Sequence, residues 1–219
     1  FGNINGFIEA QTRNPRVEGL KRFFREHEVD CFGGAEPNVN WQKLQRHQNL
    51  KEWFRTENAL RSVAAHNTHN NVSPVQQGGS FMLCFGDMAK RLVETGSDPT
   101  GLGRWTWMKF MGRNNHCTRL ITAYIPHVGD RSKLRTVYAQ QARYWNGEGV
   151  HTCPRQLLIT ALIGLLRQWR IAGERLILMV DANQDVRTGH LAQLLAEDGL
   201  EMQEVIQARH HLLPTTPTH

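Results

Sequence analysis

The sequence predicts a layered α/β sandwich, with mixed β-sheets inside and helices outside. Three observations indicate this class. Strand-like apolar runs alternate with helix-periodic segments near both ends of the chain, the middle reads as antiparallel strands, and no GxGxxG word follows the first strand. The last observation makes a purely parallel, doubly wound sheet the weaker prediction.

Length and composition fit one folded domain over residues 1–219. Of the 219 residues, 40% are hydrophobic and 21% are charged, which excludes wholesale disorder. The 26 Lys and Arg against 20 Asp and Glu give a net charge of +6. This charge is compatible with a polyanionic partner such as nucleic acid and equally with ordinary solubility. No apolar run approaches the length of a membrane span, so no membrane partner is predicted.

The four cysteines predict reduced, buried thiols. Cys31, Cys84, Cys117 and Cys153 are widely separated and form no CxxC pair. This usage is typical of an intracellular protein and argues against a disulfide framework. The nearby histidines fit no standard zinc pattern, so zinc is the weaker interpretation.

The first half of the chain predicts strands around one clear helix. The Asn5-Gly6 pair ends a short strand over 1–7, because this pair is a strong turn signal. Apolar residues at 17, 20 and 24 predict a helix over 16–27. The elements that follow are a buried strand over 28–36, an ambiguous helix or irregular stretch over 41–54, a strand over 61–66, a loop over 66–72 and a strand over 79–85.

The second half predicts a hairpin followed by helices and a last strand. The strand-like runs 104–111 and 117–125 flank a turn at 112–116. Residues 175–180 form a nearly unbroken apolar run, of the kind buried on both faces. The remaining predicted elements are a Pro/Gly loop over 98–103 and helices over 133–145, 155–171 and 191–196.

Polar side chains follow four predicted strands, at the edge that opens onto the site in layered α/β folds. Carboxylate and amide oxygens can bind a hard cation, and a carboxylate can orient water. Turn, loop and packing roles explain most of these residues as well or better, but an acid rarely ends a buried strand for packing reasons, which favours function for Asp181. The candidates are Asn3 and Asn5, Glu36, Tyr124 and His127, and Asp181 and Asn183.

Six short sequence motifs occur in order along the chain: NINGF at 3–7, GGAE at 33–36, QQGGSFML at 76–83, GLGRW at 101–105, TAYIP at 122–126 and DANQD at 181–185. Together they resemble the endonuclease/exonuclease/phosphatase family, and most closely the endonuclease domains of non-LTR retrotransposons. The resemblance runs from residue 1 to about residue 185. It implies a four-layer α/β sandwich of the deoxyribonuclease type.

The resemblance also implies a metal-dependent endonuclease that nicks DNA. Glu36, helped by Asn5, would hold Mg²⁺ or Mn²⁺. The other implied roles are phosphate binding by Asn3 and Tyr124, alignment or deprotonation of the attacking water by Asp181, and support of the oxyanion by Asn183. DNA would be the partner, with a fused reverse transcriptase in a longer parent protein and an intracellular, nuclear location.

The C-terminal region departs from the family pattern. Members of the family end with a strand that carries an Ile-Asp motif and then with a Ser-His or Asp-His motif. In this chain, HHLLPTTPTH at 210–219 resembles only the segment that precedes those two motifs. We therefore expect a C-terminally incomplete domain that lacks two strands and the catalytic histidine. Such a chain should be marginally stable and at least about a hundredfold less active than its parent, unless His127 replaces that histidine.

Two alternatives to a DNA endonuclease stay open at this point. A degenerate domain could keep the basic charge and bind nucleic acid without turnover. A phosphoesterase of the same fold could act on a smaller phosphorylated substrate.

Overall fold

The computed structural model describes residues 1–7, 15–45, 49–55, 60–69, 75–128, 135–185, 189–197 and 199–205. The strands are β1 (Gly2–Asn3), β2 (Cys31–Ala35), β3 (Arg61–Ala65), β4 (Ser80–Cys84), β5 (Leu92–Ser97), β6 (Trp105–Met111), β7 (Cys117–Tyr124) and β8 (Arg175–Asp181). The helices are α1 (Pro15–Glu26), α2 (Leu50–Trp53), α3 (Gly86–Lys90), α4 (Val137–Gly147), α5 (Pro154–Ile171) and α6 (His190–Ala196).

The strands form two mixed sheets. Sheet one has the order β1-β2-β4-β3, and sheet two has the order β5-β6-β7-β8. Each sheet contains one parallel pair, β1 with β2 and β7 with β8, and its other neighbouring strands are antiparallel. Helix α1 connects the first parallel pair, and α4 and α5 connect the second. In each sheet, two strands therefore end at the same edge.

Three apolar clusters define the layers. The first lies between α1 and sheet one and includes Phe24 and Phe81. The second lies between α5 and sheet two and includes Leu162. The third joins Met82 of sheet one to Met108 of sheet two. Two mixed sheets packed face to face with helices outside are the four-layer α/β sandwich that the sequence predicts.

The two long crossover helices begin in the same way. Pro15 starts α1 and Pro154 starts α5. Proline suits this position, because the N–H that it lacks has no intrahelical partner there. In α5, Leu158, Leu162 and Leu166 are four residues apart and all buried, so one face of the helix packs toward sheet two.

The structure confirms α1, the β6-β7 hairpin and α5, and it adds α3 and β5, which the sequence pattern does not predict. The prediction that residues 175–180 are buried on both faces is wrong. Every residue of β8 is at least partly exposed, and Ile177 is 48% exposed. Strand β8 lies at an edge of sheet two among the described strands, and an edge strand packs less completely than a central one.

The cysteines are free thiols, as predicted, but only Cys84 is fully buried and the other three are half-buried. No helix in the described ranges is long and apolar enough to cross a membrane. Some predicted features lie outside the described residues: the C-terminal word at 210–219, residues 70–72 of the predicted loop, residues 46–48 of the ambiguous stretch and residues 133–134 of a predicted helix.

Candidate functional site

The predicted site residues Asn3, Glu36 and Asp181 meet at the edge where the two parallel pairs end. Asn3 is the last residue of β1, Glu36 follows β2, and Asp181 is the last residue of β8. The Asn3 Nδ2 atom donates to Glu36 Oε2 at 2.7 Å and to Asp181 Oδ2 at 2.6 Å. One amide thus joins two carboxylates that are supplied by different sheets.

Tyr124 ends β7 and stands beside Asp181, its partner in the β7-β8 register. The tyrosine is buried, and its phenol donates a hydrogen bond to Glu36. Burial raises the pKa of Tyr124 well above its usual value, and the hydrogen bond to Glu36 and the charges of Glu36 and Asp181 raise it further. The phenol therefore keeps its proton at neutral pH and serves as a donor.

Asn5 and Asn183 shape the backbone that follows two of these strands. The Asn5 N–H donates to Asn3 Oδ1 at 2.8 Å, which turns the amide nitrogen of Asn3 toward the carboxylates. The Asn183 Nδ2 donates to the carbonyl of Ile125 at 2.9 Å, and its N–H donates to Asp181 Oδ1 at 3.4 Å. Both asparagines adopt left-handed backbone angles, with φ of 48° and 46°. Asparagine tolerates this conformation better than most residues.

The backbone of the QQGG motif, residues 76–79, supports the loop that carries Glu36. Glu36 also has a positive φ of 53°, and its N–H donates to the carbonyl of Gly79 at 3.1 Å. Gly79 has φ of 88°, and a Cβ atom there would lie 2.6 Å from the carbonyl oxygen of Ala65. A side chain at position 79 would therefore displace the backbone that holds Glu36 in place.

The GLGRW motif, residues 101–105, also has a structural role beside the site. Arg104 is buried and forms two hydrogen bonds to the Asp98 carboxylate, at 2.7 and 2.9 Å. The carbonyl of Arg104 accepts the N–H of Tyr124 at 3.0 Å. Arg104 thus supports the end of β7, and sequence reasoning did not single it out.

Two further arginines contact the site loops and were missed. Arg16 donates to the carbonyls of Ile4, Asn5 and Gly6, and Arg155 donates to those of Pro126, Ala182 and Asn183. The only signal in the sequence is a Pro-Arg pair at the start of a helix, at 15–16 and 154–155. His127, the suggested substitute histidine, is exposed.

The donor chemistry of the site fits a hard divalent cation. Two carboxylates, Glu36 and Asp181, share one donor, and their charges contribute to the raised pKa of Tyr124. Negative charge is therefore concentrated where oxygen ligands of the kind that Mg²⁺ and Mn²⁺ prefer are available. Within the described ranges, no three His, Cys, Asp or Glu side chains group together as a metal cluster, so a cation held by Glu36 would need further oxygen ligands, for which Asn5 is the candidate.

Comparison with solved structures shows the fold. The chain superposes on the Neisseria 3′ phosphatase NExo with a TM-score of 0.52 at 12% identity, over 83% of this chain and 56% of that one. An endonuclease/exonuclease/phosphatase family protein from Bacteroides thetaiotaomicron gives 0.54 at 13%, over 89% and 66%. The Xenopus laevis APE2 catalytic domain gives 0.52 at 15%, over 91% and 64%.

The chain therefore has the DNase I-like fold of endonuclease/exonuclease/phosphatase proteins. It spans between 56% and 66% of the length of these three structures. No protein-family model and no curated protein matches the sequence.

Proposed function

We propose that the chain is a metal-dependent phosphodiesterase that nicks DNA, a single domain over residues 1–219 of the retroelement endonuclease type. The observation that carries the proposal is the Asn3 amide joining Glu36 and Asp181, with the Tyr124 phenol on Glu36. Two carboxylates, an amide and a neutral phenol from both sheets thus lie within reach of one phosphodiester.

The chemistry of these groups suits phosphodiester hydrolysis. A bound Mg²⁺ or Mn²⁺, held by Glu36 with Asn5, would supply positive charge that offsets the charge of the phosphate. The Tyr124 phenol and the Asn3 amide now donate to the carboxylates, and a cation bound to those carboxylates would leave both donors for phosphate oxygens. Asp181 can align a water molecule and accept its proton.

Asn183 would support the oxyanion as the phosphate gains charge. Its Nδ2 already donates to Ile125, so one N–H of that amide remains to donate elsewhere. The role is compatible with an amide that the loop holds in a fixed orientation.

Different observations support DNA as the substrate and the retroelement as the cellular context. The net charge of +6 favours a polyanion, and the NExo structure contains a product DNA hairpin. The six sequence motifs support the retroelement type, a fused reverse transcriptase partner and a nuclear location.

Replacement of Glu36 tests the proposal directly. Glu36→Gln keeps the size of the side chain but removes the charge that would hold the cation. Nicking of supercoiled plasmid with Mg²⁺ should fall by at least about a hundredfold. Glu26→Gln is the matched control, because Glu26 lies on α1 and its ion-pair contact with Arg22 is exposed.

Metal binding is measured separately from turnover. Mn²⁺ should raise the melting temperature of the wild type and of Glu26→Gln but not that of Glu36→Gln, because a ligand that binds the folded state stabilises it. Unchanged nicking by Glu36→Gln would remove Glu36 from the site. Phosphate release from a 3′-phosphorylated oligonucleotide without nicking would replace the endonuclease with a phosphatase, and DNA binding without either reaction would favour the degenerate binding domain.

A further inference from the structure

The two crossover helices contact the site loops through equivalent residues. Arg16 is the second residue of α1, and Arg155 is the second residue of α5. Each follows a proline that starts its helix, and each helix connects the strands of a parallel pair. Each half of the sandwich therefore places an arginine in the first turn of a helix that belongs to its parallel crossover.

Each guanidinium binds backbone carbonyls just past a strand end. Arg16 lies 2.7 Å from the carbonyl of Ile4 and also donates to those of Asn5 and Gly6. These residues follow β1, which ends at Asn3. Arg16 thus holds the segment that turns the Asn3 amide toward the carboxylates.

Arg155 joins two loops of sheet two. Its Nη1 donates to the carbonyl of Pro126, which follows β7, and its Nη2 donates to those of Ala182 and Asn183, which follow β8, at 3.1 and 3.3 Å. Arg155 is half-buried. It therefore links the end of the strand that carries Tyr124 to the end of the strand that carries Asp181.

These carbonyls lie just past the regular strands. Some N–H groups there still bond to the neighbouring strand, as those of Ile4 and Ile125 do to the carbonyls of Ala35 and Asp181. The left-handed residues Asn5 and Asn183 turn the backbone, and carbonyls that face away from the neighbouring strand need another donor. A planar guanidinium offers five N–H donors in a fixed fork, which a lysine ammonium cannot reproduce.

We propose that Arg16 and Arg155 are positioning residues of the candidate site: each fixes, through backbone carbonyls, the loops that orient Asn3, Tyr124 and Asp181. The catalytic part of this inference rests on the proposed function. The structural part does not, because the loops are held whatever reaction they serve.

The test combines kinetics with hydrogen exchange in single variants of the full chain. Arg155→Met and Arg16→Met should each lower kcat for plasmid nicking by about 10- to 100-fold and change KM by less than about threefold, because small misplacements of reacting groups mainly impair the chemical step. Arg155→Lys keeps the charge but loses the fork, so it should stay near the methionine variant. Arg167→Met on α5 and Arg22→Met on α1 are matched controls, since the ion pair that each arginine forms with a described residue is exposed.

Hydrogen exchange reports on the loops without any activity. Arg155→Met should speed amide exchange in residues 124–128 and 181–185, and Arg16→Met should speed it in residues 2–7, with β5 and β6 unchanged. Wild-type kcat in Arg155→Lys would overturn the proposal, because charge alone would then suffice. Exchange that rises throughout the chain, or in neither loop, would also overturn it. If the wild type hydrolyses no phosphodiester, the proposed function fails while the exchange pattern still decides whether the arginines hold the loops.

Discussion

Two regions of sheet two contain the same combination of side chains, one at the site end and one at the opposite end. Near the site, Arg104 pairs with Asp98 and lies over the rings of Trp105 and Trp145. At the far end, Arg119 pairs with Glu174 through two hydrogen bonds and lies over Trp107 and Trp169. Arg119 and Tyr124 are five residue steps apart on β7, which separates the two regions by about 17 Å.

The surroundings of the two pairs differ. The Asp98 side chain is completely buried, and Thr100 is its other side-chain partner. Glu174 also binds Lys109 at 2.8 Å, and Glu94 approaches Arg119 at 3.9 Å. The far region is therefore a network with substitute partners, whereas Arg104 depends on one carboxylate.

The two regions also differ in what they support. The carbonyl of Arg104 accepts the N–H of Tyr124, so the first pair lies directly beneath a candidate site residue. In the strand register, Arg119 lies opposite Lys109 of β6 and Leu176 of β8. These three residues are at the end of the sheet away from the site. Breaking either ion pair should therefore lower the stability of the protein, but only breaking the pair near the site should also lower its activity.

The largest expected effect comes from Asp98→Asn. The substitution leaves the buried Arg104 charge without its carboxylate, which should lower the free energy of unfolding by about 3–5 kcal/mol. Movement of Arg104 should also displace Tyr124, so nicking per folded molecule should fall. Urea unfolding and plasmid nicking under conditions where the variant stays folded measure the two effects. Full activity in a destabilised variant would show that Tyr124 does not depend on the pair.

A smaller effect is expected from Glu174→Gln, the counterpart at the far end. The Arg119 guanidinium keeps its two tryptophan rings and the nearby Glu94, so the loss should be about 2–3 kcal/mol, below the range for Asp98. Nicking per folded molecule should equal that of the wild type. A loss of activity larger than the loss of folded protein would mean that the two ends of sheet two are coupled.

Local sequence patterns predicted the parts of the fold that depend on local structure. Helices α1 and α5 and the β6-β7 hairpin show clear periodicity or turn signals, and the structure contains all of them. Strand β5 was missed because its sequence, LVETGS, is half polar and gains its identity from pairing with β6, with a register shift near Leu92. The pairing is long-range information that no short window contains.

The residues of the candidate site also fall into two groups, those that the sequence could identify and those that it could not. Asn3, Glu36, Tyr124 and Asp181 could be named from the sequence because each follows a strand, and the structure brings these four into contact. Arg16, Arg104 and Arg155 could not be named, because their partners are backbone carbonyls or an acid placed by the tertiary fold. An arginine in a helix is usually a solvated charge, and only the positions of the carbonyls distinguish Arg16 and Arg155. Arg104 lies outside the helices and is distinguished only by the position of Asp98.

The smallest expected effect is a change in how stability depends on acid pH. Burial would raise the pKa of Asp98, but hydrogen bonds from Arg104 and Thr100 and the Arg104 charge outweigh it, so the pKa lies below its usual value of 3.8. Hydrogen bonding to Arg119 lowers the pKa of Glu174 below 4.5, against an opposing effect of burial. Because the folded pKa values are depressed, the unfolded chain binds more protons as the pH falls from these usual values. The stabilisation is present at neutral pH and is lost as the pH falls through the folded pKa values.

Unfolding free energies measured between pH 7 and pH 3 check this effect. Each of Asp98→Asn and Glu174→Gln should make the acid loss of stability shallower than in the wild type, by at most about 1.4 kcal/mol per pH unit, the value for one proton. Glu197→Gln should leave the slope unchanged, because Glu197 pairs with Arg167 at the exposed surface. The flattening should begin at a higher pH for Glu174→Gln than for Asp98→Asn, since an unfolded glutamate takes up its proton first. Curves parallel to the wild type in both variants would mean that each carboxyl has the same pKa in the folded and the unfolded protein, and the common basis of the comparison would be lost.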